Sequence, residues 1–546
     1  MALDNWFQNW HPTFFQQPLH HDPIHNSTGK RLKNPTNLLP IYFSLNLLGS
    51  EHKNLKGPSK VDAHFPTEWK SKELPFHNFK DDLPGEEYDY SLPLRLSSQP
   101  NEHYSSPHVD SSTFEKSIYT KKHHNTDETY EDHHKLKALE ITGPFKTWYR
   151  WKTLDFAYPS LLERSKAIAK GDFVVENNLP LGIEVYKDRI FMSMPKWKPG
   201  VPVTLAQLPR VPKEESPPLM PYPNWDWHSE KSCDLITSVF RMKTDICGRL
   251  WVLDSGKISI TTEEAKQHCP PKLLIFDLET DELLDKYIFD NSFVKEDSLY
   301  SNIIVDLRQG DCHDAYAYMA DVWRFGIVVF RLADHHAWRI TDHLFYPDPL
   351  AASYQLHHLK FEWMDGIFGM ALSPEGDFHE DRILYFHPMS SFREFYVKTS
   401  YLRSDGDHDD GDAFKIMGES RGPQGHASSS VMNQDGILFY NLVSRDSIGC
   451  WDSRKPYKRE NLGVVARSRQ TLVFPNDIRL DQDKKQSMWI ITNRLPYYLI
   501  EGLDISRINF RVMSAYTDEA IKGTICDPNV HNKSTYLEPP IDEDCY

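Results

Sequence analysis

The chain has no run approaching the roughly 18 apolar residues that a membrane-spanning helix needs, so no helical span is expected. It also lacks any concentrated stretch of Lys and Arg. With 62 basic against 78 acidic residues the formal net charge is −16, and affinity for nucleic acid or an anionic membrane, which depends on clustered positive charge, is not expected. The longest basic grouping, Lys121-Lys122-His123-His124, is short and sits beside acids, as a solvated loop does. None of the seven cysteines forms a CxxC pair, which argues against zinc-ribbon and thioredoxin chemistry. The region beyond residue 140 contains no GxSxG, HExxH or glycine-rich phosphate loop, so ordinary hydrolase, zincin and nucleotide-binding readings lack their signatures.

Metal signals are equally thin. His335-His336 and His357-His358 are adjacent pairs, and neighbours on a strand point to opposite faces, a poor geometry for one ion. The acidic stretch at 405–412, DGDHDDGD, resembles a calcium loop but lacks the closing Glu and flanking helices of an EF-hand; it is read as a solvated loop between sheets. No metal site and no cofactor is expected.

What the chain does have is a recurring hairpin. The strings at 173–198, 238–256 and 315–332 each join two apolar strands through a short turn, and related runs continue to about residue 495. Six such units are counted, beginning near 173, 235, 299, 368, 428 and 472, which predicts an all-β, six-bladed propeller. The alternating segment at 145–153 is expected to complete the last blade, closing the ring and removing its open edge. Residues 159–170 read as a short helix capped by Ser160 and ended by Gly171. Asn433-Gln434-Asp435-Gly436 is the strongest turn signal. The propeller is assigned to 141–520, preceded by a polar extension over 1–140 that holds half of the 26 histidines and is expected not to pack, and followed by a tail over 521–546.

Strand direction suggests two disulfides. Cys247 and Cys312 fall in the first hairpin turns of neighbouring units, and Cys233 and Cys269 in loops at the opposite end of the ring. Cys450 is expected to be buried or free, with Cys526 pairing Cys545 in the tail. Together with sequons at Asn26 and Asn532, these bridges favour an extracellular, glycosylated protein. The opening MALDNWFQNWHPTFFQQ has neither the basic start nor the apolar core of a signal peptide, and that conflict is read as a misassigned gene start.

The strings WKTLDF (151–156), ENNLPLG (176–182), PKWKPGVP (195–202), RLWVLDSG (249–256) and GCW (449–451) resemble the Yellow and major royal jelly protein family of insects, over residues 145–515. The resemblance implies a six-bladed propeller, usually secreted, with roles ranging over cuticle pigmentation and the melanin pathway, dopachrome conversion, capture of biogenic amines, and nutrition. Polar residues on or beside the first strand of each unit supply candidates for a site in the central funnel. Glu184 and Asp306 are the candidate bases, Asn302, Ser428 and Asn476 the candidate hydrogen-bonding groups, and Phe439, Tyr440 and Phe474 the candidate aromatic wall. Such a set would suit a catechol- or indole-type amine or quinone. A tautomerase would need one base and one oxyanion donor. The alternatives are that these groups bond backbone inside the propeller, or that the protein is structural or nutritive and takes no specific ligand.

Overall fold

A computed structural model describes residues 143–229, 231–375, 381–406 and 411–530. The extension at 1–140, both sequons and Cys545 lie outside the described residues. Six four-stranded antiparallel sheets form the blades. Their innermost strands are Gly182–Tyr186, Val239–Thr244, Tyr300–Leu307, Ile367–Leu372, Ala427–Met432 and Pro475–Leu480, and each packs against the innermost strands of the two neighbouring blades. The near-continuous Val, Ile, Leu and aromatic content of these sheets reflects burial on both faces.

The ring closes between distant parts of the chain. Lys146–Trp151 pairs antiparallel with Phe510–Tyr516 as the fourth strand of the last blade, setting Lys146 opposite Ser514 and Trp151 opposite Phe510. Trp148 seals this seam: its indole donates to Ser514 Oγ at 2.7 Å and stacks on Trp489 with centroids 5.6 Å apart. The helix Leu161–Lys170 follows, with Ser160 Oγ accepting from Glu163 N and Gly171 ending it at φ 79°. In the fifth blade the 433–436 turn is held by Asn433 Oδ1, which accepts from the backbone of Asp435 and Ile437; Gly436 supplies its positive φ.

Two insertions decorate one face. The hairpin Lys257–Ile258/Lys266–Gln267 interrupts the second blade, and the hairpin Ser353–Leu356/Leu359–Glu362 lies in the crossover from the third blade to the fourth. The second of these brings Tyr354, Phe361 and Trp363 into the largest apolar cluster, together with Phe240, Phe368 and Phe474.

Three disulfides tie the blades. Cys233 bonds Cys269 and Cys247 bonds Cys312, with Cα separations of 5.4 and 6.0 Å, as strand direction suggested. The third corrects the sequence reading: Cys450 is neither free nor merely buried, and Cys526 bonds it rather than Cys545, at a Cα separation of 6.3 Å. The short helix Thr517–Ile521 packs on the outer strand Leu462–Arg467 and returns Cys526 to the fifth blade. Gly463, opposite Cys450 in the sheet, leaves the room; a Cβ there would stand 2.8 Å from Cys450 Sγ and 3.2 Å from Cys526 Sγ. Replacing both Cys450 and Cys526 by Ala frees a 76-residue separation and is expected to lower stability by about 4 kcal/mol on the chain-entropy model, read from the denaturant midpoint under non-reducing conditions.

Candidate functional site

An innermost strand has no neighbour on its axial side, so its outward N–H and C=O groups need side-chain partners. The polar residues of these strands provide them. Asn302 Nδ2 donates to Phe368 O at 2.7 Å, Asn476 Nδ2 to Leu181 O at 2.7 Å, and Ser428 Oγ to Pro475 O at 2.9 Å. Asp477 accepts from Ile183 N of the adjoining blade and from Ser429 Oγ. Five of the six innermost strands break register near their second residue, between 239/241, 300/302, 367/369, 427/430 and 475/477. Such bulges re-aim side chains, here towards the axis.

Two arginines cross that axis. Arg241 reaches from the second blade to Asn476 O at 2.8 Å and Phe368 O at 3.4 Å, and lies 3.6 Å from Asp477 Oδ1. Arg479 reaches from the sixth blade to Asn302 Oδ1 at 3.0 Å, with Asp477 at 3.5 Å and Glu184 at 3.7 Å. Glu184 is fully buried; one oxygen accepts from Val185 N and the other from Lys243 Nζ at 3.0 Å. Burial pulls the Arg241 guanidinium down to about 10, opposed by Asp477 and reinforced by Arg479.

The structure thus gathers Glu184, Asn302, Ser428 and Asn476 around one axis, where their bonds go to backbone and to the Lys243 and Arg479 side chains. It does not bring Asp306 to them. That carboxylate ties the third blade to the fourth, receiving Arg382 at 3.0 Å, Arg403 at 3.1 Å and the Tyr318 hydroxyl at 2.9 Å. Phe439 and Tyr440 lie on the second strand of the fifth blade, in separate apolar clusters, and Phe474 stands edge-on to Trp363 at 6.0 Å.

Open space lies off the axis. A cleft of about 860 Å³ opens between the second-blade hairpin and the 323–325 turn of the third blade, lined by Lys257, His268, Trp323, Phe325, Met364 and Asp365 among others. The hairpin is anchored at its base. Gly256 at φ 63° admits the Cys269 carbonyl where a Cβ would sit 1.9 Å from it, Asp254 accepts from Gly256 N, and Lys272 pairs Asp254 at 3.0 Å with both side chains buried. Across the cleft Phe325, at φ 46°, packs where Gly366 has no side chain; a Cβ on Gly366 would meet Phe325 Cδ1 at 2.6 Å.

Asp365 is the chemically distinctive group here. It is 6% exposed, and burial pushes its carboxyl up to about 7, with a bond from the Trp323 side chain acting in the opposite direction. Lys257 Nζ stands 5.5 Å from the Trp323 ring centroid, and burial lowers its pKa against the pull of Asp297 and Asp321. A carboxyl poised near neutrality can give or take a proton at physiological pH, and the Trp323 and Phe325 rings with Lys257 can hold a flat, electron-rich ring.

The family model described as "Major royal jelly protein" matches residues 237–526, more than half of the chain. The chain belongs to this family. It is 42% identical over 401 residues to a protein named "Dopaminechrome tautomerase" of Drosophila melanogaster, spanning 72% of this chain and 86% of that one. It is 37% identical over 384 residues to "Protein yellow" of Drosophila erecta, spanning 69% of this chain and 70% of the relative.

In this royal jelly family member the RLWVLDSG string ends at the base of the cleft hairpin, with Lys257 as the next residue. Sequence reasoning passed over Lys257, Trp323 and Asp365. The available signal was the Trp363-Met364-Asp365-Gly366 run just ahead of an innermost strand, where Asp-Gly reads as an ordinary turn. The axial cluster yields its own test. Arg241→Met removes the cation from a fully buried ion pair and its two carbonyl bonds, and is expected to cost about 3 kcal/mol, seen as a lower urea midpoint at unchanged slope.

Proposed function

We propose that this protein acts in melanin-type pigmentation, outside the cell, by taking a catechol-derived amine or aminochrome into the cleft beside Asp365. The observation that carries this reading is the pairing of a flat aromatic wall, Trp323 and Phe325, with a cation and a carboxyl in one cavity. The name of one relative, "Dopaminechrome tautomerase", points to the same chemistry. Three disulfides suit an oxidising compartment. Calorimetric titration of the purified protein with dopamine is expected to give saturable binding, weakened about tenfold in Trp323→Ala through loss of ring contact. Absence of saturable heat, or affinity unchanged in that variant, removes the cleft from consideration.

A second reading, tautomerisation, is favoured by the raised carboxyl. Converting an aminochrome to a dihydroxyindole moves two protons, one from each saturated ring carbon, to the two quinone oxygens within one molecule, so no external oxidant is consumed. In each shift Asp365 as carboxylate takes the carbon-bound proton and as acid returns it to oxygen, while Lys257 steadies the developing oxyanion. Asp365→Asn is expected to slow dopaminechrome decay about a hundredfold, whereas Asp306→Asn acts on stability through its arginine ties. The acid limb of the rate profile should fall near pH 7. Binding without accelerated decay leaves capture as the function.

Asp365 also sets a stability slope. Its folded pKa of about 7 exceeds the unfolded value of 3.8, so the native state holds the extra proton between these values. Stability therefore falls as pH rises through that window and is flat above it, each unit of displacement corresponding to about 1.4 kcal/mol. Asp365→Asn is expected to abolish this contribution and raise the thermal midpoint at pH 8 relative to the parent, measured by calorimetry.

A further inference from the structure

A second cavity, of about 380 Å³, is lined by Arg469, Arg494, Arg507, Arg511, His357 and Tyr497 among others. Four guanidiniums in one hollow stand against the character of a chain carrying a net charge of −16. No basic run announces them, because they come from four separate places: the crossover into the sixth blade, the residue ahead of the Leu495–Ile500 helix, the loop after that helix, and the strand Phe510–Tyr516.

Three local carboxylates already hold partners: Asp504 pairs Arg507 at 3.2 Å, Asp446 Oδ2 holds His357 Nε2 at 2.7 Å while its Oδ1 is buried without a partner among the described residues, and Glu501 holds His358 at 2.9 Å. His357 is fixed on its other nitrogen by the Tyr497 hydroxyl at 2.9 Å. Among the described residues neither Arg494 nor Arg511 has a side-chain hydrogen bond or ion pair. Arg494 Nε is buried without a partner, and its guanidinium lies over the Tyr497 ring, 5.8 Å from the centroid. Both arginines have lowered pKa values, first through burial and then through neighbouring cations: Arg507 for Arg494, against the opposite pull of Tyr497, Asp446 and Asp504, and Arg494 with Arg150 for Arg511. Arg494 is moreover held at φ 52°, a left-handed conformation that a non-glycine residue adopts only when its surroundings impose it. Half-buried guanidiniums facing one another are costly unless an anion joins them, and the planar fork of Arg matches the oxygens of phosphate or sulfate.

We propose that this cavity is an anion site that takes a tetrahedral oxyanion, phosphate or sulfate, free or as a monoester, held by Arg494 and Arg511 with Arg469 and Arg507 at its rim. The site is separate from the cleft beside Asp365, and no residue placed in that cleft belongs to it.

The test is calorimetric titration of the full chain with inorganic phosphate, sulfate and phenyl phosphate at constant ionic strength, with fold integrity followed by near-ultraviolet circular dichroism. Saturable one-to-one binding is expected, weakened at least about tenfold in the Arg494→Gln/Arg511→Gln double variant and unchanged in Arg454→Gln, whose partner Asp452 lies elsewhere. Arg511→Lys keeps the charge and loses the fork; a several-fold loss there supports the site even if the double variant does not fold. Tighter binding of phenyl phosphate than of phosphate assigns the site to a monoester, and equal binding assigns it to the free ion. No saturable binding of any of the three, or equal affinity in parent and Arg511→Lys together with the double variant, overturns the proposal.

Discussion

Six sheets converging on one axis leave six innermost strands whose axial edges cannot pair with further strands. Much of the interior answers that constraint. Asn302, Ser428 and Asn476 each donate to a backbone carbonyl of the next blade, Asp477 accepts a neighbouring backbone N–H, and Arg241 bridges carbonyls of two other blades. Bulges at matching heights in five strands turn the necessary groups inward. Once charged groups are buried at the axis they must be paired, and Glu184, Lys243, Arg479, Asp477 and Arg241 form the connected set that does so. Polarity at the centre of this propeller is thus first a matter of satisfying backbone.

That ordering explains what could be read from the residues alone. Strand alternation, turn residues and the hairpin period follow from local chemistry, so the six units, the capped helix after Ser160 and the closure by the 145–153 segment were all legible. Two disulfides followed from which end of a strand each cysteine occupies. The third was not, because it depends on a C-terminal helix folding back onto the fifth blade and on the space left by Gly463, neither of which strand counting reveals.

Site residues were harder for a physical reason. A polar residue on an innermost strand looks the same in sequence whether it caps an edge or meets a ligand, and Glu184, Asn302 and Asn476 each make a bond to backbone at that edge. Asp306 has the same local pattern, yet its register points it towards Arg382 and Arg403 of the fourth-blade region. Asp365 sits in a crossover, and its environment comes from a turn over forty residues earlier in the chain and from a hairpin of another blade. The four arginines of the second cavity are likewise scattered in sequence. Inserted loops on a rigid ring create such constellations, and only their three-dimensional assembly displays them.

The seam between Lys146–Trp151 and Phe510–Tyr516 has a temporal side. The Trp148 to Ser514 bond spans 366 residues, so at synthesis rates of roughly 5–20 residues per second the first strand leaves the ribosome roughly 20–70 s before its partner exists. During that interval the Lys146–Trp151 strand stays unpaired, a template for another chain. The long-range pairing that completes the last blade also makes assembly slow, and the final blade, not the first, decides when the molecule becomes one cooperative unit.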